Sequence, residues 1–171
     1  MNPNSPYGCA KAFATQMVKV YRESHGLYFC NAICYNHESP RRAENFVTRK
    51  ITLAAVRIKL GMQSELVLGN IDAERDWGYA KEFVEAMWSM LQQEKPDDYV
   101  LATGKTHSVR EFLALAFEQV GLDWKQYYRL DPRFNRPADP ERLLGDSSKA
   151  KRILNWQHKT TLADLAKLMI D

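Results

Sequence analysis

Strands are scarce in this sequence relative to its helices. Two stretches, 27–35 and 98–103, read as mostly apolar strands of a parallel sheet, against five or six helical segments. Two such strands alone leave sheet faces uncovered and edges unpaired. A chain of this kind either pairs with something or has lost the rest of its sheet. The helices are placed by spacing and by caps. Ala10, Phe13, Ala14, Met17, Val18 and Tyr21 recur at helical intervals over 7–25, between Ser5-Pro6 and Gly26. Val47, Ile51, Ala54, Ala55 and Ile58 mark a second helix ended by Gly61, after a polar loop at 36–42. Phe83, Val84, Met87, Trp88 and Leu91 mark a third, preceded by a short strand at 66–68 and a loop at 69–78. Ser108 and Glu111 make a capping box for a helix at 109–120, with Gly121 at its end. A proline-punctuated segment at 131–140 leads to two short helices near 147–154 and 162–170, the latter capped by Thr161 and Asp164. Strands alternating with helices make the class α/β.

At 171 residues, 45% apolar and 26% charged, the chain can bury a core, and its composition excludes a disordered or collagen-like protein. No apolar run reaches the ~18 residues of a membrane span. The opening Met1-Asn2-Pro3-Asn4-Ser5-Pro6 has neither the basic nor the apolar region of a signal peptide. A soluble, cytoplasmic chain is expected.

A net charge of +3 is too balanced to indicate nucleic acid. The basic residues cluster, however: Arg41, Arg42, Arg49, Lys50, Arg57 and Lys59 stand against Glu44 alone within 41–59. Such a window suits a small anionic ligand or a solvated helix face. Cys9, Cys30 and Cys34 are odd in number and sit among apolar neighbours. They read as buried thiols of a reducing compartment, with no metal site.

The first pair with chemical content is Tyr7 and Lys11. Four residues apart on a helix, they project from one face and can address one ligand. A lysine near a phenol favours the phenolate, which can act as a general base. Tyr-x-x-x-Lys is also an ordinary surface pair. Its setting is Ser5-Pro6-Tyr7-Gly8-Cys9-Ala10-Lys11, whose small intervening residues leave room for a bulky ligand. Asn36-His37-Glu38-Ser39-Pro40-Arg41-Arg42 follows the first strand, then Phe46-Val47-Thr48-Arg49-Lys50-Ile51-Thr52, Leu68-Gly69-Asn70-Ile71-Asp72-Ala73 and Arg75-Asp76-Trp77-Gly78. Ala102-Thr103-Gly104, Ser108-Val109-Arg110-Glu111-Phe112, Arg136-Pro137 and Gly145-Asp146 continue the series.

In the order and spacing of these segments the chain resembles the extended short-chain dehydrogenase/reductase family, and within it the GDP-mannose 4,6-dehydratases. The resemblance implies NADP as an internal redox shuttle and GDP-mannose as substrate. A hydride leaves C4 of the mannose, water is eliminated across C5 and C6, and the hydride returns to C6. The product is GDP-4-dehydro-6-deoxy-D-mannose, on the route to GDP-fucose. By the same resemblance Tyr7 takes the C4 hydroxyl proton, and Lys11 holds the nicotinamide ribose. His37 and Arg42 contact the cofactor. Asn36, Val47 and Lys50 contact the substrate, Arg75 and Arg136 hold its diphosphate, and Asp139 faces the guanosine.

Two departures from the family pattern stand out. Arg136-Pro137-Ala138-Asp139 has aspartate where the family has glutamate, one methylene shorter. The eight glycines are scattered, and none forms the G-x-x-G-x-x-G turn that seats the cofactor pyrophosphate. The Thr and Glu that the family places upstream of its tyrosine are not found either. The expected architecture is therefore the C-terminal part of a doubly wound, NAD(P)-binding Rossmann-like sheet, with a small α/β substrate-binding domain. Residues 1–62 would belong to the first and 63–171 mostly to the second, with one strand near 98–103 returning to the sheet. A fragment of this kind is expected to be inactive alone and to expose apolar surface. The alternatives are a related nucleotide-sugar reductase or epimerase, and a non-catalytic chain that binds nucleotide sugar or associates with full-length subunits. Association as a dimer or tetramer is implied; nucleic acid and membrane are not.

Overall fold

The computed structural model describes residues 3–134 and 141–171. Helix α1 (Pro6–His25) comes first; the Ser5 side chain accepts from Gly8 N at its start, and Gly26 closes it in the left-handed region at φ 64°. Strands β1 (Ala32–Cys34) and β2 (Asn36–Glu38) form one extended run broken at Tyr35. Helix α2 (Val47–Lys59), strands β3 (Leu66–Leu68), β4 (Glu74–Arg75) and β5 (Trp77–Tyr79), and helix α3 (Ala80–Met90) follow. The chain continues through β6 (Tyr99–Leu101), β7 (His107–Ser108), α4 (Val109–Gln119), β8 (Tyr128–Leu130), β9 (Arg142–Leu143), α5 (Ser148–Leu154) and α6 (Leu162–Ile170).

The class is α/β, but the pairing is divided among several short ladders. Parallel pairs join β1 to β6, β2 to β5 and β3 to β8, while β4 lies between antiparallel β7 and parallel β9. The run from β1 to β2 changes partner at Tyr35, whose N–H donates to the Leu101 carbonyl at 2.9 Å. The strand expected over 27–35 therefore shrinks to β1, and the loop expected at 36–42 begins as β2. Main-chain pairing with β5 needs no apolar side chains, so Asn36-His37-Glu38 extends despite its polarity. The loop expected at 69–78 likewise contains β4 and β5.

Both helix boxes form as read: Ser108 with Glu111, and Thr161 with Asp164. Two cores result. Ile51, Leu66, Phe112, Phe117, Leu165 and Met169 join α2, α4 and α6 over β3. Phe83, Met90, Tyr99, Leu101, Leu154 and Trp156 join α3 and α5 to β6. Each fully buried large side chain contributes roughly 1.5–3 kcal/mol.

The β1 side is different. Helix α1 has no buried residue along its 20 positions, and Leu27, Tyr28, Phe29 and Ile33 are all exposed. Apolar surface lies open there, as expected. The cysteines correct the reading of buried thiols: Cys9 is exposed, and Cys30 and Cys34 are half-buried. Partial burial still pushes the Cys34 thiol upward.

Between the cores sits a fully buried carboxylate, Asp76. Its Oδ1 accepts from Thr103 N and Thr103 Oγ1 at 2.8 and 2.7 Å, and its Oδ2 from Gly104 N and Gly145 N at 3.0 and 3.3 Å. Four donors offset the cost of burying the charge. The effect is to fix the link between β4 and β5, which places Arg75 and Trp77.

Candidate functional site

A cleft of about 460 Å³ opens where the start of β2, the first turn of α2, the end of β3 and the β4–β5 link meet. Asn36, Val47, Lys50 and Arg75 all line it. These are the four described residues that sequence reasoning assigned to substrate. Helix α2 begins at the cleft with no side-chain cap and no acidic residue in its first turn. Its first N–H groups and its positive dipole end therefore suit an anion.

Two cations reinforce that end. Lys50 Nζ donates to the Val67 carbonyl at 2.7 Å and lies 4.3 Å from the centroid of the Phe134 ring. Burial holds its ammonium below the usual lysine range. Arg75 is nearly buried, and its Nη1 donates to the carbonyls of Glu74 and Glu141 at 2.7 and 3.5 Å. Phe46, Trp77 and Phe134 add aromatic surface to the same walls.

The remaining expected residues lie off this cleft. Tyr7 and Lys11 are neighbours as their spacing required, with Lys11 Nζ 5.6 Å from the centroid of the Tyr7 ring. Both are exposed on α1, and neither lines the cleft. His37 Nδ1 is 2.8 Å from the Tyr35 carbonyl, which can only accept, so Nδ1 carries the proton. Arg42 sits in the turn between β2 and α2, with Nε 3.2 Å from Glu38 Oε2 and its guanidinium 3.6 Å from the centroid of Phe46. Phenol, ammonium, imidazole and guanidinium are donors suited to the ribose and phosphate oxygens of a dinucleotide. Arg136 and Asp139 lie outside the described residues.

Sequence reasoning missed Asn45, Phe46, Asn70, Trp77, Phe134 and Glu141 as lining residues. Asn70 and Trp77 stood inside quoted motifs, as did Phe46, and could have been drawn from them. Phe134 carried no motif signal, and Glu141 stood only as the carboxylate two residues beyond Asp139; the fold brings both to the cleft.

The family model described as GDP-mannose 4,6 dehydratase matches residues 1–169. The chain is 56% identical over 170 residues to GDP-mannose 4,6 dehydratase 1 of Arabidopsis thaliana, covering 99% of this chain and 47% of the relative. Against GDP-mannose 4,6-dehydratase of Sinorhizobium fredii (strain HH103) it is 49% identical over 185 residues, covering 98% and 53%. The solved structure of RMD from Pseudomonas aeruginosa complexed with NADPH superposes with a TM-score of 0.89 at 20% identity, covering 99% of this chain and 56% of that one. That likeness speaks for the fold, a partial Rossmann-like arrangement. The chain spans about half the length of the curated relatives it matches. Its match to the family model over nearly every residue settles the relationship: the chain belongs to the GDP-mannose 4,6-dehydratase family.

Proposed function

We propose that this chain carries the nucleotide-sugar cleft and the Tyr–Lys pair of a GDP-mannose 4,6-dehydratase, with GDP-mannose as its ligand and NADP as the cofactor. The observation that carries the reading is the convergence of Asn36, Val47, Lys50 and Arg75, spread over forty positions of sequence, on one cleft. The start of α2, Lys50 and Arg75 would hold the diphosphate, since a helix N-terminus and a planar guanidinium both match phosphate oxygens. Asn36 and the aromatic walls would face the sugar and nucleoside. Arg136 joins the diphosphate contacts on the strength of the family pattern, and Asp139, one methylene shorter than the family's glutamate, would take the guanosine contact.

Tyr7 accepts the C4 hydroxyl proton of the mannose, and Lys11 keeps a positive charge beside the phenol while orienting the ribose hydroxyls. His37 and Arg42 contact the cofactor from the β2–α2 side. NADP, when bound, supplies the hydride acceptor and donor. The open apolar face of α1 supports self-association as a dimer or tetramer, and three free cysteines suit the cytoplasm.

The chain spans about half the length of the curated relatives it matches, and the second reading is a chain that binds nucleotide sugar without turning it over. Calorimetry with GDP-mannose and product analysis with NADP separate the two. Binding weakened by Arg75→Ala is the expected result on either reading, and 4-keto product formed with NADP tells the two apart. Absence of binding, or binding indifferent to Arg75→Ala, rejects the cleft assignment. Robust 4-keto product establishes turnover and rejects the second reading.

A further inference from the structure

Glu38 is a buried carboxylate at the end of β2 to which the proposed chemistry gives no task; 1% of its surface is exposed. Its Oε2 accepts from Thr48 Oγ1 at 2.6 Å and lies 3.2 Å from Arg42 Nε. The Arg42 contact is an ion pair without an aligned hydrogen bond. The guanidinium then lies against the Phe46 ring, and Phe46 lines the cleft. One carboxylate thus grips the middle of the β2–α2 turn, through Arg42, and the first turn of α2, through Thr48.

Backbone bonds shape the turn itself: Arg42 N donates to Ser39 O at 2.9 Å and Phe46 N to Ala43 O at 3.0 Å. They leave the directions of the Arg42 and Phe46 side chains unset. Phe46 is also the N-cap residue of α2 and makes no side-chain capping bond. Only the stack on Arg42 orients its ring among the described ring contacts. The arginine is aimed in turn by Glu38.

We propose that Glu38 is a positioning residue: through Arg42 and Phe46 it sets one wall of the nucleotide-sugar cleft. The proposal rests on the reading of the cleft as a GDP-mannose site. Glu38 meets the guanidinium at Nε and so fixes where Arg42 presents its face to Phe46.

The test compares Glu38→Gln with Thr48→Val. The second variant removes the hydroxyl from the same carboxylate but leaves Arg42 paired. Both are expected to lower the melting temperature. Glu38→Gln is expected to weaken GDP-mannose binding about tenfold and Thr48→Val by less than about twofold, the difference being one charged contact. In a Phe46→Leu background, Glu38→Gln costs no further affinity, because the path runs through that ring. Equal losses in the two variants, or additive losses with Phe46→Leu, reduce Glu38 to a structural residue and overturn the proposal. In the ligand-free chain, Glu38→Gln is expected to shift the amide resonances of Asn45, Phe46 and Val47 more than Thr48→Val does. Should Glu38→Gln not fold, Arg42→Gln breaks the same stack, and unmoved Phe46 and Val47 resonances in it overturn the proposal. If the wild-type chain binds no GDP-mannose, the cleft reading fails, while the spectra of the free variants still decide whether Glu38 sets the turn.

Discussion

Arg22 and Asp98 meet in a two-bond fork that moors α1 to the β1–β6 pair. Nη1 donates to Oδ1 at 2.7 Å and Nη2 to Oδ2 at 3.1 Å. The same Oδ1 accepts from Asn31 N and Asn31 Nδ2, each at 3.0 Å. A helix with no buried residue thus keeps its place through polar bonds, joined by Asn31 Nδ2 donating to the Thr15 carbonyl at 3.2 Å. The mooring matters because α1 carries Tyr7 and Lys11.

The fork has a pH signature. Burial opposes ionisation of Asp98, but the bonds from Arg22 and Asn31 outweigh it and hold the carboxyl below its ordinary range. A depressed folded-state value means stability that is complete above the unfolded value, about 4, and lost as pH falls through the folded value. Asp98→Asn is therefore expected to cost about 1–3 kcal/mol at pH 7, with the gap to wild type closing in acid. Urea melts at neutral pH and near pH 3 measure it; an equal gap at both refutes the assignment.

Gly145 offers a test of close packing. A Cβ there would overlap the Ala102 side chain and the Tyr35 ring. The backbone there also donates to Asp76. Gly145→Ala is expected to destabilise by about 1–3 kcal/mol or more, the range for overpacking. Thermal denaturation reads it, and an unchanged melting temperature would show that both Ala102 and Tyr35 yield without cost.

These two cases mark how far the sequence could be read. Helices announced themselves because apolar spacing and cap residues are local signals: α4 and α6 begin at the capping boxes of Ser108 and Thr161, as read. The short ladders did not, since pairing of β2 with β5 or β3 with β8 depends on partners some 40 to 60 positions away. The cleft was half legible. Asn36, Val47, Lys50 and Arg75 were named from a family pattern, yet nothing local says that they share a wall. Asp76, Glu38 and Phe134 acquire their roles only from packing.

Lys50 gives the cleft a pH response. Because burial lowers the value of its ammonium, the charge is lost at a lower pH than for an exposed lysine, whose value is about 10.4. An anion in the cleft favours the protonated form, so affinity for GDP is expected to fall as pH rises through that lowered value. Stability of the free chain runs the other way, since raising the pH relieves the burial penalty. Lys50→Arg is expected to abolish the affinity slope, guanidinium staying charged throughout. Titration calorimetry between pH 7 and about 10 checks both proteins, and parallel slopes in the two would remove Lys50 from the anion site.

Helix α1 makes the last prediction. An isolated helix is marginal in water unless an apolar face is packed, yet Phe13 and Tyr7 are 67% and 73% exposed, and Val20 and Tyr21 lie open beyond them. Polar mooring at Arg22 and at the Thr15 carbonyl holds the far end and the middle of α1 and leaves its apolar side chains uncovered. Cover for the other turns would come from a second α1, with the stripe through Phe13 and Val20 as the contact. The chain is expected to sediment as a dimer or larger species at micromolar concentration. Phe13→Lys, which places a charge in the middle of the stripe, is expected to yield a monomer with reduced helical signal by circular dichroism. A wild-type monomer with full helicity would mean that α1 stands without a partner, and the self-association reading would fall with it.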